Sequence, residues 1–473
     1  MADKTLTPDV LVIGAGSGGL TVAAGASQMG ADVVLLEGGK MGGDCLNYGC
    51  VPSKALIAAG HHAHMMRHGQ GFGIANVEPE VDFPAVKQHV ADVIKTIEPM
   101  DSVERFEGFG VTVLQEYGRF TGPKEVQAGD TTIKPKWIVI ATGSSAAVPP
   151  IPGLDSVPYH TNESLFEDET APEHLVIIGG GPIGVEMAQA HRRLGSQVTV
   201  LDMGTILAND DPELVAIARA SLEAEGIDLR EKTGITQVEK GDGDTGIKVL
   251  LNDGTYVHGS HLLVAAGRKP NLDKLDLEKG GIAYERGGIT VDDRLRTSDK
   301  RVFAIGDVAG GPQFTHVAGY HGGIVIRNML FRLPAKVDYK ALPWVTYADP
   351  ELANVGLTEK QATEEGHKIN VLRWEFEEND RAQAQRLTKG LVKVIVTPKG
   401  KILGAGIVGP NAGELILSWG LAIQNGLKIG AMASVIAPYP TMAEVSKRAA
   451  GSYYTPKIFS DRIKSIVRFL MKF

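Results

Sequence analysis

Cys45 and Cys50 stand with four residues between them in "GGDCLNYGCVPSK" (residues 42–54), and the 473-residue chain has no other cysteine. A structural disulfide closing so short a loop removes little unfolded-state entropy, and a chain this long buries a large core without one. Two close thiols that open and close in a redox cycle fit the spacing better. Such a pair needs an electron source held beside it, and the glycine-rich turns of the chain are the elements that could hold one.

"DVLVIGAGSGGLTVAAGASQMGADVVLLEGG" reads as strand, glycine turn, helix, strand, with Gly14, Gly16 and Gly19 directly after the apolar run. In this spacing the first glycine permits a tight turn, the second lets backbone approach a pyrophosphate, and the third lets helix pack on strand. The phosphate sits on free N–H groups at the helix N-terminus. Glu37 ends the second strand, where a carboxylate accepts from ribose hydroxyls. The pattern repeats in "HLVIIGGGPIGVEMAQAHRRLGSQVTVLDMG" with Gly179, Gly181, Gly184 and Asp202. The first glycine and the acid of the second copy each lie 165 residues after their counterparts, so two dinucleotides are expected. "KWIVIATGS", "HLLVAAGRKPN" and "RVFAIGDVAG" are further apolar strands ending in glycine turns, placed to close these sites.

Bulk properties exclude other classes. Hydrophobic content of 43% and charged content of 22% are those of a soluble globular protein. A net charge of −8 leaves no basic footprint for nucleic acid. Few cysteines suit a reducing cytoplasm. The N-terminal run lacks a basic region and breaks at glycines, so no signal peptide is expected, and no apolar run reaches the ~20 residues of a membrane span.

Taken together, these residues resemble the flavoprotein disulfide oxidoreductases, which include dihydrolipoamide dehydrogenase, glutathione reductase and mercuric reductase. The likeness covers essentially the whole chain. It implies an α/β fold with two Rossmann-type nucleotide-binding domains, for FAD and NAD, plus a C-terminal α/β dimerisation domain that makes a homodimer. The implied boundaries are 1–150 and 272–343 for FAD, 151–271 for NAD, and 344–473 for dimerisation. It further implies that Asp307 contacts the flavin ribitol and that Lys54 pairs with Glu186 beside the isoalloxazine. Gly43 and Asp44, Gly118 in "YGRF", Ala141, Thr142 and Gly143 in "ATGS", and Phe314, Thr315 and His316 in "PQFTHVA" would line FAD. Gly267 would close the NAD site. Cys50 precedes the helix "VPSKALIAAG", whose dipole favours a thiolate, so Cys50 would be the thiol next to the flavin. Cys45, on the loop, would be the exposed thiol that attacks substrate.

The chain departs from the resemblance near its C-terminus. Where dihydrolipoamide dehydrogenase and glutathione reductase carry His-Pro-Thr with a Glu five residues after the His, this chain has Tyr439, Pro440 and Thr441, with Glu444 retained. A phenol is a poor general base at neutral pH. Tyrosine here is similar to mercuric reductase, although the C-terminal cysteine pair and N-terminal metal-binding domain of that family are not found. The expected activity is therefore NAD(P)H oxidation through Cys45–Cys50 onto an external acceptor: a metal ion, a disulfide or a quinone-like compound. The alternatives are a dihydrolipoamide dehydrogenase and an electron-donating or redox-sensing subunit for a membrane partner. No Arg or Lys in "DMGTILANDD" is offered to a 2′-phosphate, so NADH is expected over NADPH. His61, His64 and His68 share one helical face, read as solvated because no carboxylate or cysteine joins it; no resident metal site is expected. The tail "SDRIKSIVRFLMKF" has an apolar face with basic flanks, read as docking on the dimer partner or the core, with peripheral membrane contact as the alternative.

Overall fold

The computed structural model of the chain describes residues 4–241 and 246–473. The apolar run of the first glycine unit becomes the central strand, Val10–Ile13, of an all-parallel five-stranded sheet. Across that sheet the order is Val302–Ala304, Trp137–Ile140, Val10–Ile13, Val33–Leu36 and Thr112–Leu114. Alternate side chains of Val10–Ile13 serve two cores. Val10 and Val12 pack with Leu20 and Ile324 beneath the helices Ser17–Gln28 and Thr315–Met329. Leu11 and Ile13 pack with Phe120, Val126 and Ile133 of a small sheet on the other face. Burial on both faces is why the strand is apolar at every position.

The second unit repeats this plan. Asp228–Arg230, Gln197–Leu201, His174–Ile178 and His261–Val264 form a parallel sheet with His174–Ile178 and Gln197–Leu201 inside. Leu175 and Ile177 face the helices, and Val176 and Ile178 face Val238, Val249 and Val257 of an antiparallel sheet. The chain leaves the first unit and returns to it through a two-stranded ribbon in which Ser144–Ala146 pairs with Arg268–Pro270.

From residue 343 the chain forms an antiparallel sheet in the order Pro343–Thr346, Glu351–Gly356, Ile402–Gly409, Leu391–Val396, Asn370–Glu375. Ala412–Gln424 and Glu444–Ser452 pack on it around Trp419. Lys393, only 5% exposed, reaches Asp211, Glu213 and Glu359 at 2.8, 2.8 and 2.7 Å and so ties this sheet to the helix Pro212–Ala224 of the second unit.

Two expectations need correction here. The tail helix Asp461–Leu470 is exposed along its length and does not dock on the chain's own core. That core ends at Tyr453 and Tyr454, before the tail begins, and the Tyr453 hydroxyl donates to the Pro398 carbonyl at 2.7 Å. The histidine face of Cys50–Arg67 is solvated at His61 and His68, as expected, but carboxylates do join it and His64 is half-buried. Packing against Pro182–Arg193 brings the Asp349 carboxylate within 3.7 Å of His61 and the Glu225 carboxylate within 3.9 Å of His64. Burial holds the His64 imidazole down to about 4. No described helix is long and apolar enough to cross a membrane.

Candidate active site

Both glycine turns open onto one cleft of about 1670 Å³. Their glycines divide into two kinds by what a Cβ would meet. At Gly14 it would lie 2.4 Å from the Ala141 carbonyl, and at Gly19 1.9 Å from the Gly14 carbonyl. Gly179 and Gly184 repeat this, at 2.4 Å from Ala265 and 1.9 Å from Gly179. These four are required by the protein's own packing. Gly16 and Gly181 are different: a Cβ there meets no protein atom within 4 Å. Bare backbone at these two points is explained by a group that comes close from the cleft, as a pyrophosphate does.

The helix N-termini agree. Ser17–Gln28 and Pro182–Arg193 begin at Gly16 and Gly181 with no side-chain cap and no acid in the first turn. Helices such as Phe83–Ile97, Val103–Gly108 and Pro212–Ala224 are by contrast capped, by Asp82, Ser102 and Asp211. Uncapped N–H groups facing a cleft form an anion cradle. Glu37 accepts from the backbone N–H of Ala15 and Gly39, both at 2.7 Å, and Asp202 accepts from Gly180 and Gly204 at 2.7 and 2.6 Å. Each acid therefore also braces its own turn, a role the sequence pattern did not show.

The two cysteines are free thiols on adjacent helices of the same loop. Cys45 lies within the short helix Gly43–Asn47, not on a loop, and Cys50 is the first residue of Cys50–Arg67, behind an uncapped Gly49. Cys50 opens onto the cleft of the first glycine turn, the place expected of the thiol next to the flavin. Cys50 is exposed and Cys45 half-buried, because the first helical position turns Cys50 toward the cleft and Thr315, 3.3 Å away. The Cys45 S–H, followed by the Thr315 hydroxyl and the Lys54 charge, draws the Cys50 thiol down to about 6 against the effect of burial. Donating that hydrogen bond, with burial, pushes Cys45 far up. The pair thus holds one proton between two sulfurs.

Around it the structure brings Lys54 Nζ to 2.7 Å from Glu186 Oε2 and places it 4.4 Å from the Tyr347 ring centroid. Glu186 Oε1 accepts from the Tyr347 N–H at 2.9 Å. Asp307, raised by burial, accepts from the Ser144 hydroxyl, and Arg268 donates to Ser144 Oγ and its carbonyl, both at 2.7 Å. Arg268 also reaches Asp44 at 3.2 Å, whose other oxygen accepts from Asn162 at 2.8 Å. Gly43 lies against Gly16, Gly118 against Leu36, and Gly143 and Gly267 take positive φ at the rim. Thr142 exchanges hydrogen bonds with Asn271, Phe314 stacks on His316 at 5.2 Å, and His316 bonds the Pro343 carbonyl. Sequence reasoning missed Ser144, Asn162, Arg268 and Tyr347, which carry no motif of their own.

Tyr439 and Glu444 do not join this group within the chain. Tyr439 is 69% exposed on the C-terminal domain, and its hydroxyl donates to Asp380 at 2.8 Å. That bond to a carboxylate raises the phenol above its ordinary value. Glu444 opens the helix Glu444–Ser452.

Two nucleotide cradles converging on one dithiol define an oxidoreductase that works through paired thiols. The chain belongs to the pyridine nucleotide-disulphide oxidoreductase family: residues 8–322 match that family and residues 342–450 match its dimerisation domain. Mercuric reductase of Streptomyces lividans is 38% identical over 455 residues, spanning 94% of this chain and 96% of that protein. Dihydrolipoyl dehydrogenase of Geobacillus stearothermophilus is 35% identical over 459 residues, spanning 95% and 97%. Among solved structures, the Cu(II) complex of the HOCl-induced flavoprotein disulfide reductase RclA from Escherichia coli superposes with a TM-score of 0.84 at 29% identity, spanning 93% of this chain and 98% of that one. The protein is an FAD-dependent enzyme that uses a pyridine nucleotide.

Proposed function

We propose that this enzyme oxidises NADH and delivers the electrons through Cys45 and Cys50 to a thiophilic metal ion. The observation that carries the reading is Tyr439, a phenol tied to Asp380 where thiol–disulfide exchange needs a proton-shuttling base. In this reading residues 1–150 and 272–343 hold FAD, 151–271 hold NAD(H), and 344–473 make the homodimer through which Tyr439 and Glu444 of one subunit serve the thiols of the other. Gly14, Gly16, Gly19, Glu37 and Asp307 hold the flavin nucleotide, and Gly179, Gly181, Gly184 and Asp202 the nicotinamide one. When bound, the two cofactors supply the two-electron chemistry that keeps the thiols reduced.

The chain's own residues do the rest. Cys50, drawn down to about 6, offers a thiolate at neutral pH. An arriving ion displaces the proton that Cys45 shares with Cys50, and that proton leaves to solvent. Two sulfurs then hold a soft cation without any base having to return a proton to thiol. The relative named mercuric reductase and the RclA neighbour solved with Cu(II) support this class of acceptor. Asp202 supports NADH, since its carboxylate would face a 2′-phosphate. The test is anaerobic reduction by NADH followed by rapid mixing with Hg²⁺, Cu²⁺, lipoamide or glutathione disulfide. Reoxidation is expected to be fast with the ions and slow with the disulfides; the reverse order would remove the proposal.

A further inference from the structure

Away from the thiols, three side chains from distant parts of the sequence converge. His160 Nε2 lies 3.0 Å and His261 Nε2 3.5 Å from the same oxygen, Asp168 Oδ2, and the three atoms fall within 4.8 Å of one another. The imidazoles stack with planes 13° apart. His160 bridges in parallel to the strand His261–Val264, which puts both rings on one face of the sheet, and Asp168 comes from the turn beyond Asn162–Leu165.

Each of the three has its other polar atom occupied. His160 Nδ1 meets Ser164 Oγ at 3.2 Å, His261 Nδ1 meets Ser260 Oγ at 2.9 Å, and Asp168 Oδ1 accepts from the Thr170 N–H at 2.8 Å. Ser260 accepts from the His174 N–H and donates its own proton to the His174 carbonyl. In the tautomer where His261 Nδ1 donates to Ser260, the Nε2 lone pair faces the Asp168 oxygen at 3.5 Å, an arrangement that a cation between them satisfies. Tetrahedral zinc with bonds of about 2.0–2.2 Å spaces its ligand atoms by roughly 3.3–3.6 Å, and the two spacings to Asp168, 3.0 and 3.5 Å, lie within a few tenths of that. Backed ligands of this kind are what metal centres use to fix ring orientation and tautomer.

We infer that His160, Asp168 and His261 form a binding site for a divalent transition-metal ion of the zinc class, separate from the acceptor site at the thiols. Side-chain exposures of 22%, 24% and 13% leave it open to solvent from one side. The ion has a structural consequence. It clamps residues 160–168 to the strand His261–Val264, and Asn162 in that segment donates to Asp44 Oδ1 and to the Tyr48 carbonyl, on the loop that carries Cys45. Occupancy would stiffen the wall of the thiol loop without touching a sulfur.

The test uses full-length, FAD-loaded protein with Cys45→Ser and Cys50→Ser, which removes the competing soft ligands. Equilibrium dialysis against Zn²⁺, and Co²⁺ as a spectroscopic probe, should show one ion per chain, with d–d bands and no sulfur-to-metal charge transfer. Zn²⁺ should also raise the melting temperature. His261→Gln should abolish both effects. Ser260→Ala, which keeps every ligand, should weaken Zn²⁺ by about 10- to 100-fold relative to the background protein. No binding at free Zn²⁺ up to the millimolar range, or equal binding by the background, His261→Gln and Ser260→Ala proteins, would overturn the assignment.

Discussion

Taking the proton donor away from Cys50 should move its titration by an amount the geometry sets. Cys50 is drawn down to about 6 first by the Cys45 S–H, then by the Thr315 hydroxyl at 3.3 Å and the Lys54 charge, while burial and Asp44 oppose. Cys45→Ala deletes the leading donor, and the midpoint should climb most of the way to the ordinary thiol value of about 8.5. Cys45→Ser restores a donor and should hold the midpoint nearer 6; Thr315→Val should raise it by less than Cys45→Ala does.

The choice of assay follows from the magnitudes. Between midpoints of about 6 and 8.5 the thiolate fraction at pH 7 falls roughly 30-fold. A more basic thiolate is intrinsically the better nucleophile, by roughly 10-fold over this span at a Brønsted slope of about 0.4–0.5. An alkylation rate at one pH would therefore change only about two- to threefold. The pH profile is the informative reading: reduced holoenzyme labelled with limiting iodoacetamide across the acid-to-alkaline range, with the Cys50 peptide quantified by mass spectrometry. Because the thiol is depressed, the thiolate persists above the midpoint and is lost as pH falls through about 6, and metal-ion turnover should decline in that window. Identical midpoints in wild type and Cys45→Ala, or a wild-type midpoint near 8.5, would refute the shared-proton account.

Tyr439→His should raise lipoamide turnover by about 10²-fold or more, since Glu444 remains to orient an imidazole, with reduction by NADH unchanged; steady-state assays on both substrates read this directly. Gly16→Ala should leave the melting temperature of the apoprotein unaltered yet weaken FAD binding, measured by flavin fluorescence, whereas Gly19→Ala, with its Cβ 1.9 Å from the Gly14 carbonyl, should destabilise the apoprotein itself. NADH should exceed NADPH in kcat/KM by about tenfold or more, the charge of Asp202 opposing the 2′-phosphate, and equal use of both would show a cation reaching that site from elsewhere. Lys393→Met should cost about 3–5 kcal/mol in thermal or denaturant unfolding, because it strands Asp211 and its neighbours without their buried cation.

The parts of this molecule legible in its sequence are those whose constraint is local. Gly19 is fixed by the carbonyl of Gly14 in the turn just before it, so the spacing alone announces strand, turn and helix, and the second copy announces the second sheet. The cysteine pair and Tyr439 stand out for the same reason, as residue types that carry chemistry at a recognisable spacing. What the sequence hides is assembled through space. His160 and His261 meet only because two strands lie side by side, and Arg268 reaches Asp44 and Ser144 only because the chain returns through the ribbon at Ser144–Ala146. The carboxylates beside His61 and His64 arrive from other elements, so one helix's own sequence does not show them. The short helix Gly43–Asn47 that carries Cys45 is likewise invisible in the pattern, since element boundaries at that resolution are not in the sequence.

The strand order of the first sheet sets a timetable for synthesis. Val302–Ala304 pairs with Trp137–Ile140, yet the whole second sheet is translated between them. At about 5–20 residues per second the ribosome needs roughly 8–30 s to cross that gap. Throughout it, Trp137–Ile140 is an apolar strand edge awaiting its neighbour, the kind of edge that recruits other chains. The inserted unit, whose sheet is complete by Val264, can fold in that interval and stand as a finished body beside an unfinished one. Aggregation of chains in which the distal strand is delayed or mutated is therefore expected from the insertion itself rather than from any residue in the redox site.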